Sequence, residues 1–215
     1  MDARTAPARP RAGRPTREQA EARHAELLEA ALDHFLDRGF EQATVEAIAS
    51  AVNMTKRTVY VRYPEKVALF RAAVRQAMEV LAVSPEKIQA ARCDDLEQTL
   101  VNIAHLRVDP ISTPMGLKLQ RIINTESYRF PDIFDLAYEL GALPVIRFLA
   151  ELLENETRAG RLAIDRPMLA ANVFTSMVVS GPVRLIVAGR KLAEGEVEDR
   201  IRFAVRLFLA GARPR

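Results

Sequence analysis

Apolar residues recur at intervals of three and four along most of this chain, the spacing that lines one face of a helix. Leu28, Ala31, Leu32, Phe35 and Leu36 predict a first helix over roughly residues 18–38, closed by Gly39 with Phe40 folding back behind it. Val45, Ile48, Ala49 and Val52 predict a short second helix capped by Thr44, and Asn53 ends it because Asn tolerates a left-handed turn. Thr55 caps a third helix that turns Val59 inward, with Met54 plugging the corner before it. Pro64 opens a long fourth helix at its first turn, where a missing N–H does no harm, and Phe70, Ala73, Val74, Ala77, Met78 and Leu81 form its buried stripe.

Ser84 and Pro85 mark a joint, beyond which the helical pattern continues. Leu96, Leu100 and Ile103 predict one helix and Met115, Leu119, Ile122 and Ile123 the next, with a proline-bearing loop from Asp109 to Pro114 between them. Arg129-Phe130-Pro131-Asp132 breaks the chain before a longer helix carrying Phe134, Leu149 and Leu153, bent near Gly141 and Pro144 and closed by Gly160. Asp165 and Pro167 start another helix, which Pro182 kinks or ends, and Glu196 starts the last. The expected fold is all-α with about nine helices: a three-helix N-terminal domain and a larger C-terminal one. The expected division is a basic arm over 1–17, a first domain over 18–66, a connecting helix over 67–83 and a second domain over 84–215.

Composition supports this class: Trp is absent, aromatics are 6% of the 215 residues, and Ala and Leu dominate. The charge is placed unevenly. The first 18 residues hold Arg4, Arg9, Arg11, Arg14 and Arg17 against Asp2 and Glu18, which accounts for the whole net charge of +3. Within the neutral remainder, Lys56, Arg57, Arg62, Lys66, Arg71 and Arg75 face only Glu65 between residues 55 and 75. Both concentrations suit one polyanion.

The second and third helices, joined by a tight turn, have the build of a helix-turn-helix. With Val59 turned in, Lys56, Arg57, Thr58, Tyr60 and Arg62 point out, a set with no use in a core but suited to phosphates and base edges. The run Val52-Asn53-Met54-Thr55-Lys56-Arg57-Thr58-Val59-Tyr60-Val61-Arg62-Tyr63-Pro64-Glu65-Lys66 resembles the DNA-binding domain of the tetracycline-repressor (TetR) family. The usual family run is Ala-Gly-Val-Ser-Lys-Gly-Thr-Leu-Tyr-Tyr-His-Phe, then Pro or Lys, a spacer and Lys. Asn53 stands in place of the turn Gly, Arg57 in place of a Gly at the tip of the recognition helix, and Val61 in place of an aromatic. The resemblance implies double-stranded operator DNA as partner. Lys56, Arg57, Thr58 and Tyr60 would approach bases and backbone, with Thr55 as the cap and Thr44, Arg62 and Lys66 holding phosphates. Arg14, in the extended Gly13-Arg14-Pro15 strip, suits a narrow minor groove, and a solvated leader is the other reading. Tyr63 is expected in the core, as the family pattern has a packing aromatic there.

The stretch from Arg121 to Ala171 is similar to the regulatory domain of TetR-type efflux and solvent-tolerance repressors, through Glu126 to Ile133 and Gly160-Arg161-Leu162 followed by Asp165-Arg166-Pro167. That similarity implies a sensor of hydrophobic small molecules and a four-helix dimer interface. Asn102, His105, Asn124, Tyr128, Tyr138, Asn172 and Thr175 are polar groups in apolar company, available to orient a ligand or to bond between helices. The last two helices are more apolar than one interior face requires. Phe174, Met177, Val178, Val205, Phe208 and Leu209 are the expected homodimer contacts, and a thicker monomer core is the alternative.

Other classes find little support. His24, His34 and His105 lie far apart without metal-ligand spacing, and no phosphate loop, nucleophile elbow or Cys-Xaa-Xaa-Cys occurs, so neither enzyme activity nor a cofactor or metal is expected. The single Cys93 fits a reducing cytoplasm. No apolar run is expected to reach the ~20 residues of a bilayer span, and no membrane partner is expected. The function expected is a dimeric transcriptional regulator, a repressor released by a hydrophobic effector. An architectural DNA binder whose second domain only dimerises is the alternative, and an activator of the same fold reads identically in sequence.

Overall fold

The computed structural model describes residues 16–190 and 193–214. Arg14 and the rest of the arm up to residue 15 lie outside the described residues. Within them the chain runs α1 (Arg17–Gln42), α2 (Val45–Ala51), α3 (Lys56–Arg62), α4 (Lys66–Leu81), α5 (Pro85–Ala90) and α6 (Leu96–Ser112). Then come α7 (Pro114–Glu126), α8 (Pro131–Ala137), a π-helical turn (Tyr138–Ala142), α9 (Leu143–Arg158), α10 (Pro167–Val187) and α11 (Glu196–Ala212). The π turn welds α8 to α9, so with that run taken as one helix and the short α5 set aside, the expected nine remain among the described residues.

Local signals explain the boundaries. Thr16 accepts from the Gln19 N–H at 3.2 Å while the Gln19 side chain accepts from the Thr16 N–H at 3.1 Å, a reciprocal box that starts α1 well before its buried stripe opens at Leu27. Gly39 breaks α1 at a φ of 73°, which lets Phe40 turn back into the core. Asn53 takes the left-handed conformation, φ 54°, between α2 and α3. Thr44, Thr55, Ser84 and Thr113 each cap the helix that follows.

Three sequence expectations need correction. Helix α4 begins at Lys66 behind Glu65, so Pro64 lies in the preceding turn. Helix α6 runs through Pro110 to Ser112 where a loop was expected, because a proline near a helix end forfeits only one hydrogen bond. By length and composition α10, 21 residues, is long and apolar enough to cross a membrane. Here it packs against α6, α9 and α11, burying Ala171, Phe174 and Val178. Pro182 sits buried within it without ending it.

Two apolar cores organise the molecule. The first joins α1–α4 around Phe35, Phe40 and Phe70, whose rings lie 5.0–5.8 Å apart. It does not stop at residue 83: Leu119, Ile122 and Ile123 of α7, together with Phe130 and Ile133, belong to it. The second lies among α6, α9, α10 and α11, around Leu100, Ile103, Leu149, Leu153, Phe174, Ile201 and Val205. Helices α7 and α8 therefore leave the second core to pack against the first.

Candidate nucleic-acid interface and regulatory cavity

Helix α3 presents the expected face. Val59 is buried beneath it, and Lys56, Arg57, Thr58, Tyr60, Val61 and Arg62 are exposed. Thr55 caps the helix by accepting from the Thr58 N–H at 3.1 Å, and the two hydroxyls lie 2.8 Å apart, which fixes the first turn. Lys56 leans on the Tyr60 ring at 6.0 Å and pairs with Glu46 of α2 at 3.2 Å. Arg57 has no such partner among the described residues. Arg62 stands beside a hydrogen-bonded pair, His24 with the Tyr63 hydroxyl, whose rings stack 6.0 Å apart. Burial first, then the Arg62 charge, holds His24 below its ordinary pKa. His24 is therefore a strut between α1 and the end of α3.

Lys66 is placed differently from expectation. Its ammonium donates to the carbonyls of Phe40, Glu41 and Ala43 at 2.8, 3.0 and 3.2 Å and lies 4.5 Å from the centre of the Phe40 ring. All three donors are used in closing the end of α1, which leaves none for a phosphate. Lys66→Met is expected to lower stability by about 1–3 kcal/mol through the carbonyls it leaves unpaired. The slope of log affinity against log salt should not change, and a slope smaller by about one would restore the phosphate role.

The second feature is a cavity of about 190 Å³ bounded by α4, α6, α7, α8 and the π turn. Met78 and Leu81 line it from α4, Arg107 and Ile111 from α6, Leu119, Gln120 and Ile123 from α7, and Phe134 and Tyr138 from the far side. Gly116 makes its tight corner possible: a Cβ there would lie 2.1 Å from the Pro110 carbonyl oxygen. Arg107 is the charged group in the lining. Its Nη1 donates to the Gly141 carbonyl in the π turn, and its buried Nε has no partner among the described residues.

Of the seven polar residues proposed from sequence for a pocket, this cavity takes in only Tyr138. Asn102 donates to the Ala91 carbonyl at 3.0 Å and Thr175 to the Ala171 carbonyl at 2.9 Å, so both are spent inside the fold. Asn172 donates to the Met168 carbonyl and accepts from the Tyr138 hydroxyl. Asn124 bonds to Gln120 at the surface, and Tyr128 is 98% exposed. His105 bridges Asp109 at 3.1 Å and Glu198 of α11 at 2.7 Å. Burial alone would lower its pKa, but hydrogen bonds and charge from both carboxylates outweigh that and raise it. The clip between α6 and α11 therefore stabilises fully below about pH 6.5 and fades as pH rises through the raised value. His105→Gln should remove that part of the pH dependence of the melting temperature, and an unchanged profile would count against the clip.

The expected dimer contacts also divide. Phe174, Val178, Val205 and Leu209 are buried in the second core, with Met177 and Phe208 packed partly against it. The exposed apolar face of α10 and α11 is instead Met168, Leu169, Val173, Phe203 and Leu207, with Phe203 63% and Leu207 55% exposed. Both helices are apolar on two sides, and the side facing α6 and α9 took the residues that sequence assigned to an interface.

Comparison with known proteins agrees with this geometry. Residues 27–73 match the profile of the bacterial regulatory proteins of the tetR family, and residues 98–211 match the AefR-like transcriptional repressor C-terminal domain. The chain belongs to the TetR family. It is accordingly a transcriptional regulator with a helix-turn-helix DNA-binding domain, in a family of regulators and not of enzymes. The flavonoid-responsive regulator FrrA is similar at 33% identity, with 91% of this chain and 99% of that one covered and a TM-score of 0.69. A putative TetR-family regulator from Mesorhizobium loti MAFF303099 shares the fold at a TM-score of 0.73 and 23% identity, covering 93% of this chain and all of that one. A helix-turn-helix regulator of Mycobacterium tuberculosis is 36% identical over 63 residues, a match spanning 29% of this chain and 31% of that protein.

Within this TetR-family chain, sequence reasoning missed Arg107. A signal was present: Leu100, Ile103, Arg107 and Ile111 follow one another at intervals of three, four and four, so a guanidinium interrupts an apolar stripe.

Proposed function

We propose that this regulator is a dimeric repressor whose paired α3 helices read a palindromic operator and which leaves DNA when a small apolar-bodied effector fills the cavity. The observation that carries the reading is the double role of α4. Its last turns, at Met78 and Leu81, wall the cavity, while Phe70 lies in the core that holds α2 and α3. A second path runs through α7 and α8, whose connecting residues Arg129 and Phe130 press on Phe40. An occupant that favours a different spacing of these helices shifts both supports of the recognition unit. Exposed Val173, Phe203 and Leu207 supply the apolar face on which a second copy sets two α3 helices one helical turn of DNA, ~34–36 Å, apart. In this reading Arg57, Thr58 and Tyr60 meet bases and backbone, Thr44, Thr55, Lys56 and Arg62 hold phosphates, and Arg14 adds minor-groove attraction. The flavonoid response in the name of the similar regulator supports a small-molecule signal of some kind.

Band shifts on the DNA upstream of the protein's own gene test it. Binding should resist random competitor DNA and should weaken when an effector is added, by roughly 5- to 150-fold for a coupling of ordinary size. Equal competition by random DNA, with no compound altering binding, would replace this reading with an architectural one.

A further inference from the structure

We infer that the cavity takes an anion: a carboxylate on an apolar body about the size of one ring, held by Arg107. This rests on the ligand-responsive reading above and names the chemistry of that ligand. Arg107 projects from α6 into a lining otherwise made largely of Met78, Leu119, Ile123, Phe134 and Ala137. Among the described residues no carboxylate pairs with it, and its Nε is buried without an acceptor. Elsewhere the chain compensates buried charge: Glu156, 7% exposed, receives both Nε and Nη2 of Arg161 at 2.5 and 2.8 Å. A partly buried cation with no counter-charge is unfavourable, and apolar replacement would relieve it, so its presence wants a partner. Burial pushes Arg107 down to about 10, which leaves it charged at neutral pH.

The fork geometry gives the partner's shape. Nη1 is anchored on the Gly141 carbonyl of the π turn, which orients the guanidinium plane, and Nε is buried without a partner among the described residues. A planar oxyanion matches a guanidinium fork better than a single oxygen does. The volume sets the rest. A dry apolar cavity of about 150 Å³ accommodates benzene. At about 190 Å³ this one takes a ring or a short alkyl chain with a carboxylate attached and falls short of a multi-ring molecule. Phe134, 56% exposed, belongs to the lining and also reaches the surface.

Calorimetric titration of the full chain with 4-methylbenzoate, hexanoate and the carboxamide of each tests the inference. The acids should bind roughly 10- to 100-fold tighter than their amides, as a charge-assisted bond to the Arg107 guanidinium implies. The two bodies distinguish an aryl from an alkyl occupant. Arg107→Gln removes the charge, and it should reduce the preference for acid to within about threefold. Arg107→Lys should keep part of it. Amides that bind the native chain as well as acids, acids that do not bind, or a preference that survives in Arg107→Gln each overturn the inference. The comparison within the native chain holds even if a variant folds poorly. If acids bind through Arg107 without releasing operator DNA, the anion site stands and the ligand-release reading falls. If amides release DNA as well as acids do, that reading stands and the anion site falls.

Discussion

Phe130→Ala is expected to lower the stability of the protein by roughly 3–5 kcal/mol, the usual range for removing a buried aromatic side chain. Phe130 comes from the corner between α7 and α8, yet its ring lies 4.8 Å from Phe40 and 5.2 Å from Phe70, inside the core that supports the recognition unit. The Arg129 guanidinium covers the Phe40 and Phe130 rings at 4.9 and 5.4 Å and pairs with Glu41, while Asp132 pairs with Arg71 of α4 at 2.7 Å. Those ion pairs are half exposed and contribute little by themselves. The buried ring is what holds the corner. Against a total stability of ~5–15 kcal/mol, the loss should be plain in urea unfolding, and a change below about 1 kcal/mol would show that the corner is peripheral. Phe130→Leu keeps most of the volume. It should unfold near the native midpoint while showing weaker effector-dependent release from DNA. Unaltered release in that variant would assign the coupling to α4 alone.

Arg57→Ala is expected to lower affinity for operator DNA by about 1–3 kcal/mol with little effect on random DNA, as loss of a base contact does. Two neighbours on α3 make the contrast informative. Lys56 already pairs with Glu46, so any DNA contact it makes trades one ion pair for another. The Thr58 hydroxyl lies 2.8 Å from that of Thr55 in the cap. Arg57 is exposed in the first turn and has neither tie among the described residues, which leaves its guanidinium free to read a guanine edge. An equal loss on operator and random DNA would make it a phosphate contact.

The two halves of the molecule were unequally legible. Thr44, Asn53 and Thr55 could be read directly, because a cap or a left-handed turn depends on the few residues around it. The same locality made Val59 an inward residue and its neighbours an outward face. Lys66 misled because its charge is visible in sequence, whereas the three carbonyls it closes come from residues 23 to 26 positions earlier. Asn102 and Thr175 misled for a related reason: a polar residue among apolar ones is usually bonded to a nearby carbonyl, as both are here.

By itself the sequence determined the helices, their caps and a recognition unit with cations on its outer side, all consequences of periodicity and of chemistry within about one turn. The tertiary structure alone decided which apolar side of α10 and α11 turns inward and leaves Val173, Phe203 and Leu207 outside. It also decided that Arg107 lines a cavity with no carboxylate partner among the described residues and that Phe130 belongs to the first core. Helical periodicity says which residues share a face. It does not say which face a neighbour will cover, because that depends on elements distant in the chain and on how closely they pack.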